Sequence, residues 1–449
     1  MSSRPRALWP LVAVFTAGYL ASYLLPTIVG RLSAGLGLSP AQAGLAGSLL
    51  LLSSAAAGFT LASRVERFGP RRPARAGLLL AVAGYGAAAL AGSVPLVVAG
   101  AMAGGFGSGT ATAVAAAGIA GRPDPHRAST VGLLSVSATA GVLYLTLPHL
   151  TVPGWLGGGH ALPFAAIALV AAAVWPATGK LAGGHGGDGG DGGARSAAGP
   201  LPRRRAGLVL AGGMACWALA QNALWGVSGR IGLNQAGLTE VAVGAVFAAA
   251  LGAGLVGVLG AGALGGRIGR AVPIGAGTVL IAVCIAVTSA SDGLVSFAGG
   301  EILWNACYPV VLSYLIGLAA SLDPRGRWAV FAGSASSLGV ACGPVAGSLL
   351  SERAGYAGMG LVLAVLLVLL AAPLTAVALH TAGRPLVPGA IRRHGGAPAA
   401  LMAGTTGAAA GLAAPQIGAP EQPVAEFPVR SVPARLVRRR AYRPVGPDS

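Results

Sequence analysis

One carboxylate stands inside a long apolar stretch of this sequence, with aromatic and amide residues around it. The group shares one face of a helix because its members occupy positions i, i+3, i+4 and i+7: Glu301, Trp304, Asn305 and Tyr308. Of the twelve Asp and Glu residues, only Glu301 lies inside such a stretch away from its ends. A carboxylate in a lipid environment costs about 2.5–3.5 kcal/mol, and burial favours its neutral form. We expect Glu301 to bind a proton or a cationic group of a ligand.

Two alternatives give Glu301 no part in binding. An ion pair with Arg230, which ends another apolar stretch, would neutralise the carboxylate. Placement at the edge of the apolar region would instead leave it hydrated.

Two further apolar stretches carry residues suited to holding a small ligand. Tyr19 and Tyr23 lie on one helix face near the start of the chain, and Gln221, Asn222 and Trp225 lie close together farther on. Amide groups donate and accept hydrogen bonds, and aromatic rings stack on apolar ligands. We expect these residues to bind a small molecule together with the Glu301 group, although plain helix packing is an equal alternative for the tryptophans.

The sequence offers no constellation for catalysis or for a metal. The six His are scattered without ligand spacing, all four Cys fall inside apolar stretches, and the sole lysine, Lys180, is not part of a phosphate-binding loop. We therefore expect no enzymatic activity, no metal site and no cofactor.

Composition assigns the chain to the membrane. Of its 449 residues, 54% are apolar and 9% are charged, and the mean hydropathy is +0.73. Soluble domains carry about 25% charged residues. Twelve apolar stretches are long enough to be membrane-spanning helices, and they are residues 8–30, 41–63, 74–92, 95–120, 129–150, 160–179, 207–229, 240–264, 272–290, 293–319, 329–350 and 357–379. The predicted fold class is an all-α membrane protein with twelve transmembrane helices in two six-helix pseudo-repeats.

The placement of arginine predicts the orientation. With a cytoplasmic N-terminus, eighteen basic residues fall in inner segments and three, Arg31, Arg230 and Arg353, fall in outer ones; nine more lie in the C-terminal tail. This bias predicts a multi-pass protein of the cytoplasmic membrane with both termini in the cytoplasm. The net charge of +18 is then explained by topology and contact with membrane lipid, so we expect no nucleic-acid partner.

Four segments are predicted. An N-terminal bundle spans residues 1–180, a Gly-rich cytoplasmic linker residues 181–206, a C-terminal bundle residues 207–380, and a disordered Pro/Arg-rich tail residues 381–449. A shift of about 200 residues superimposes parts of the two bundles, including Arg67 on Arg267 and Arg127 on Arg327, which favours a parallel six-plus-six repeat.

A charged motif separates the second and third predicted spans. Residues 62–72 read Ala-Ser-Arg-Val-Glu-Arg-Phe-Gly-Pro-Arg-Arg. The stretch resembles the Gly-x-x-x-Asp-Arg-x-Gly-Arg-Arg motif of the major facilitator superfamily, with Ala62 in place of Gly and Glu66 in place of Asp. Charge-assisted hydrogen bonds among such residues can latch the cytoplasmic helix ends. The expected cytoplasmic gate is Glu66, Arg67, Gly69, Arg71 and Arg72; the alternative is that these arginines only fix the topology.

The resemblance implies a secondary transporter that works by alternating access, with spans one, four, seven and ten around a central cavity. The function it implies is transport of a small organic solute as a monomer, with protons as coupling ions. A drug or metabolite efflux antiporter is an alternative, and a membrane receptor or structural protein without transport is another. Exporters of the superfamily carry a Gly-Pro motif in span five, whereas Gly339-x-x-x-Gly343-Pro344-x-x-Gly347 lies in span eleven here, which disfavours antiport. Its small residues predict close helix packing.

Overall fold

The computed structural model describes residues 8–61, 69–122, 124–151, 157–181, 201–264, 269–323 and 326–382. Within these ranges the chain forms twelve α-helices and no β-strand. They are α1 (Trp9–Tyr23), α2 (Leu25–Leu36), α3 (Pro40–Leu61), α4 (Arg71–Leu90), α5 (Val94–Ala120), α6 (Pro125–Thr146), α7 (Ala161–Val174), α8 (Arg204–Arg230), α9 (Glu240–Leu264), α10 (Ala271–Ser289), α11 (Leu294–Leu322) and α12 (Arg327–Ala382). A 3₁₀ turn, Trp175–Lys180, extends α7, and a π-helical turn, Ile231–Gln235, extends α8.

These helices give the predicted number of spans. Ten of the described helices are long and apolar enough to cross a membrane, and the bent pair α1–α2 gives an eleventh. The twelfth is contained in α12, whose 56 residues would measure about 84 Å if straight, far beyond the ~30 Å of a bilayer core. Gly355, at φ 70°, breaks α12 with a conformation that costs glycine little, so the helix is two spans joined by a sharp turn. The structure confirms the all-α fold and the six-plus-six arrangement.

The first span extends beyond the segment 8–30 that the sequence predicts, and it is bent. It reaches Leu36 and bends by 48° between α1 and α2. Pro26 has no amide hydrogen, so the carbonyl of Ser22 loses its bond within the helix. That carbonyl instead accepts a hydrogen bond at 3.2 Å from the indole Nε1 of Trp225 in α8. The break therefore provides an acceptor for a residue of the other half of the molecule.

The two halves, α1–α7 and α8–α12, pack through matching helices. Helix α3 contacts α12, α6 contacts α9, and α2 contacts α8. The Gly-Pro motif lies in the first part of α12, and its three glycines all face α8. A Cβ atom at Gly343 would collide with Asn222, and one at Gly347 with the carbonyl oxygen of Ala223. The predicted close packing of this motif is confirmed.

The domain boundaries stay predictions. Helix α8 begins at Arg204, before the predicted start of the C-terminal bundle, and α12 continues to Ala382. The proposed linker and tail fall outside the described residues over 182–200 and 383–449.

Candidate functional site

A cavity lies between the two halves, and its empty space together with the solvent at its mouth measures about 620 Å³. Seven of the ten residues that the sequence predicts for coupling or ligand binding line this cavity. The other three, Tyr19, Arg230 and Glu301, do not. The lining residues are Tyr23, Leu133, Ser137, Gln221, Asn222, Trp225, Leu251, Gly254, Leu255, Val258, Trp304, Asn305, Tyr308 and Pro309.

The helices around the cavity differ from those expected. Spans one, seven and ten contribute through α1, α8 and α11, but span four, α5, contributes no lining residue. Its small residues instead bring α5 against neighbouring helices, as where Gly18 meets Thr112. Spans five and eight, α6 and α9, take its place with the apolar side chains Leu133, Leu251 and Leu255. Sequence reasoning missed these residues because a leucine that faces a cavity has the same pattern as one that faces lipid.

Aromatic rings form one side of the cavity. The ring centroids of Trp225 and Trp304 are 5.9 Å apart at an interplanar angle of 52°, and Tyr308 meets Trp304 edge-on at 6.3 Å. Trp217, stacked behind Tyr308 at 5.0 Å, supports that ring. Such contacts fix ring orientation, so these rings are preorganised to pack against an apolar ligand.

Three amides contribute polar groups to the cavity. Asn222 and Asn305 each donate one N–H to a carbonyl one turn earlier in their own helices, at 2.9 and 3.0 Å. Gln221 is fully buried, and its Oε1 accepts the indole N–H of Trp304. The Nε2 of Gln221 has no hydrogen-bond partner among the described residues. A buried donor left unpaired costs free energy, so a bound acceptor would stabilise this side chain.

Glu301 is fully buried next to the cavity and not in its wall. Its Oε1 accepts a hydrogen bond of 2.5 Å from Ser228 Oγ on α8, and its Oε2 has no partner within the described part of the chain. The alternative ion pair with Arg230 is not formed. The Nη2 of Arg230 donates instead to Ser348 Oγ at 2.7 Å. Placement of Glu301 at the lipid interface is likewise excluded by its burial.

Tyr19 and the described residues of the predicted cytoplasmic gate do not line the cavity. Tyr19 packs against Phe15, with ring centroids 4.3 Å apart, in the interior of the first half. Of the predicted cytoplasmic gate, Glu66 and Arg67 fall outside the described residues. Gly69, at φ 68°, precedes α4, and Arg71 Nε donates to the carbonyl of Leu181 at 2.6 Å, which ties α4 to the end of the first half. Arg72 is exposed.

Polar contacts between the halves concentrate at one end of the molecule, which we call the closed end. Arg31 Nη2 and Glu240 Oε2 form an ion pair at 2.7 Å, and the Glu352 carboxylate accepts the Ala41 amide at 3.1 Å. Deeper in the same interface, Ser48 Oγ accepts the Val345 amide at 3.0 Å. Sequence reasoning assigned Arg31 to an outer segment and gave neither Arg31 nor Glu240 a role. Their opposite charges at outer ends of different halves were the signal that could have identified them.

Comparisons with known proteins agree with this architecture. The family model described as Major Facilitator Superfamily matches residues 11–326. No curated protein matches the sequence. Among solved structures, a bacterial homologue of the human lysosomal transporter Spinster, inward-facing and unoccupied, is 15% identical at a TM-score of 0.62, covering 93% of this chain and 98% of its own.

Two other solved structures are similar. The human organic anion transporter MFSD10 is 19% identical at a TM-score of 0.58, covering 83% of this chain and 100% of its own. The inward-open xylose transporter XylE from E. coli is 13% identical at a TM-score of 0.59, covering 81% and 94%. At such identities the likeness shows the fold.

Proposed function

Because this chain belongs to the major facilitator superfamily of secondary transporters, we propose that it carries a small organic solute across the cytoplasmic membrane by alternating access, coupled to protons. The protein is multi-pass. A monomeric state, contact with membrane lipid and cytoplasmic termini are part of the proposal. The cavity between the halves supports it, since its lining combines rings and amides that suit an organic solute.

The contacts at the closed end support alternating access to one cavity, because they can block the path to the cavity from that side. If the N-terminus lies in the cytoplasm, Arg31 and Glu240 face the outside, and we infer that the closed end is the outer side of the protein. Opening of the outer side requires the Arg31–Glu240 and Glu352–Ala41 contacts to break. The predicted gate around Arg71 would then close the cytoplasmic side.

One observation carries the proton coupling, namely the burial of Glu301 with one unpaired carboxyl oxygen. A fully buried carboxylate without a cation is costly, whereas a protonated carboxyl is neutral and can donate its own hydrogen bond. Glu301 also lies one turn from Trp304 and Asn305 in the cavity wall, so its protonation can respond to what the cavity holds. We propose that Glu301 takes up and releases the coupled proton.

The test uses purified protein in liposomes that contain a pH-sensitive dye. Solutes that raise the thermal stability of the protein are added outside. Two quantities are then measured, namely the movement of protons and the counterflow of the solute. We expect Glu301→Gln to retain counterflow but to lose proton movement and pH dependence, while the control Asp292→Asn, an exposed carboxylate preceding the same helix, behaves as wild type. Unchanged proton movement in Glu301→Gln would remove this residue from coupling.

Efflux by antiport is the second candidate, and the aromatic wall that suits amphiphilic solutes favours it. The same recording separates the two functions. In symport, inward solute movement acidifies the liposome interior; in antiport, it makes the interior alkaline.

A further inference from the structure

The cavity wall carries no charge. Its fourteen described lining residues include no Asp, Glu, Lys, Arg or His. Glu301, the nearest carboxylate in sequence, lies outside the lining and accepts its hydrogen bond from Ser228. A charged solute would therefore lose its hydration without gaining a counter-ion in the wall.

The orientation of the Gln221 amide follows from its hydrogen bond with the indole of Trp304. An indole N–H can only donate, so the group that accepts from Trp304 must be the carbonyl oxygen of Gln221. The Nε2 donor is consequently the atom left buried and unpaired on a residue that lines the cavity. It calls for an acceptor on the solute, such as an amide or lactam carbonyl.

The tryptophans offer only apolar faces. The indole N–H of Trp304 is used by Gln221 and that of Trp225 by the Ser22 carbonyl, so neither is available to a solute. Aliphatic side chains of α9, including Leu255 and Val258, complete the apolar surface. The part of the wall that rings and aliphatic groups form packs best against a flat, apolar face of a solute.

We propose that this cavity selects an uncharged solute with a planar apolar face and a carbonyl-type acceptor for Gln221 Nε2. The inference rests on the proposed function, because it names the substrate class of the same site. It also separates two roles, with the proton held at Glu301 and a neutral solute held in the cavity. Each symport cycle would then move one net positive charge.

The test is a binding panel of matched isosteres in detergent, measured by thermal shift and tryptophan fluorescence. Benzamide, benzoate and benzamidinium share size and shape but differ in charge, and indole-3-carboxamide and indole-3-carboxylate form a second set. We expect each neutral amide to bind at least about tenfold more tightly than its charged partners. Equal or tighter binding of a charged member, or no binding of any amide, would overturn the proposal.

A charge introduced at Gln221 provides a second readout. Gln221→Glu keeps an oxygen that accepts from Trp304 but replaces the unpaired Nε2 donor by the second oxygen of a carboxylate. Benzamide binding should therefore weaken at least about tenfold, and benzamidinium should bind. Gln42→Glu, an exposed change at the closed end, is the matched control. Unaltered preference in Gln221→Glu would contradict the role of Nε2.

The wild-type panel decides the substrate class even where the variant does not fold. Failure of the panel leaves the transport proposal intact, because proton coupling is measured through Glu301 with any solute that binds.

Discussion

The ion pair at the closed end should bias the equilibrium between the two faces of the transport cycle. Arg31 and Glu240 approach to 2.7 Å, with side chains 16% and 51% exposed. Such a solvated pair contributes about 0.5 kcal/mol. Glu240→Arg removes this attraction and substitutes repulsion of similar size, a total of about 1 kcal/mol, or about a fivefold change in the ratio of closed to open populations.

Restoration by charge exchange is the decisive part of the experiment. In Arg31→Glu/Glu240→Arg the opposite charges face each other again, and we expect the population ratio to return to within about twofold of wild type. The control Asp292→Arg changes an exposed acid before α11 whose carboxylate accepts from Ser296 of the same helix, so it should leave the ratio unchanged.

Distances between spin labels at positions 150 and 295, one on each half, report the populations once the native cysteines are replaced. In 1 M salt the Debye length falls to about 3 Å, and the effect of Glu240→Arg should shrink accordingly. If the single and double variants gave the same distance distribution as wild type, the pair would have no part in closure.

Two further substitutions test the packing that supports the cavity. Gly347→Val should lower the free energy of unfolding by about 1–3 kcal/mol, because the new side chain collides with the Ala223 carbonyl. The control Gly252→Val should be tolerated, because nothing lies within 4 Å of a Cβ atom there. Thermal unfolding in detergent measures both variants, and equal stability would refute the close contact. Trp225→Phe should cost about 1–3 kcal/mol because the Ser22 carbonyl loses its donor. Pro26→Ala should recover part of that loss by restoring an amide hydrogen one turn after Ser22, and a double variant no more stable than Trp225→Phe would argue against this account.

The fold could be predicted because its signals are sums over many residues. Hydropathy over some twenty residues identifies a span, and the distribution of thirty basic residues predicts an even number of spans. The local breaks were harder. Hydropathy runs straight through Pro26, and only the backbone shows that the chain bends there. Gly355 is one glycine among 74, and nothing in its neighbours marks its left-handed conformation.

The candidate site was accessible only in part for a related reason. Helical spacing says which residues share a face but not where that face points. Trp304, Asn305 and Tyr308 line the cavity, whereas Glu301, on the same stripe, turns its carboxylate toward Ser228. Tyr19 is one turn from Tyr23, yet it faces the interior of its own half. Direction depends on the packing of neighbouring helices, which periodicity does not contain.

The seal between the halves relies largely on main-chain atoms. Trp225 binds the carbonyl of Ser22, Glu352 binds the amide of Ala41, and Ser48 binds the amide of Val345. In each pair one partner is a main-chain atom, which any residue type supplies. Substitutions at positions 22, 41 and 345 should therefore preserve these hydrogen bonds, whereas substitutions of Trp225, Glu352 and Ser48 should remove them. Correlated substitution between homologues should consequently be weak at these three contacts and detectable at Arg31 and Glu240, where both partners are side chains.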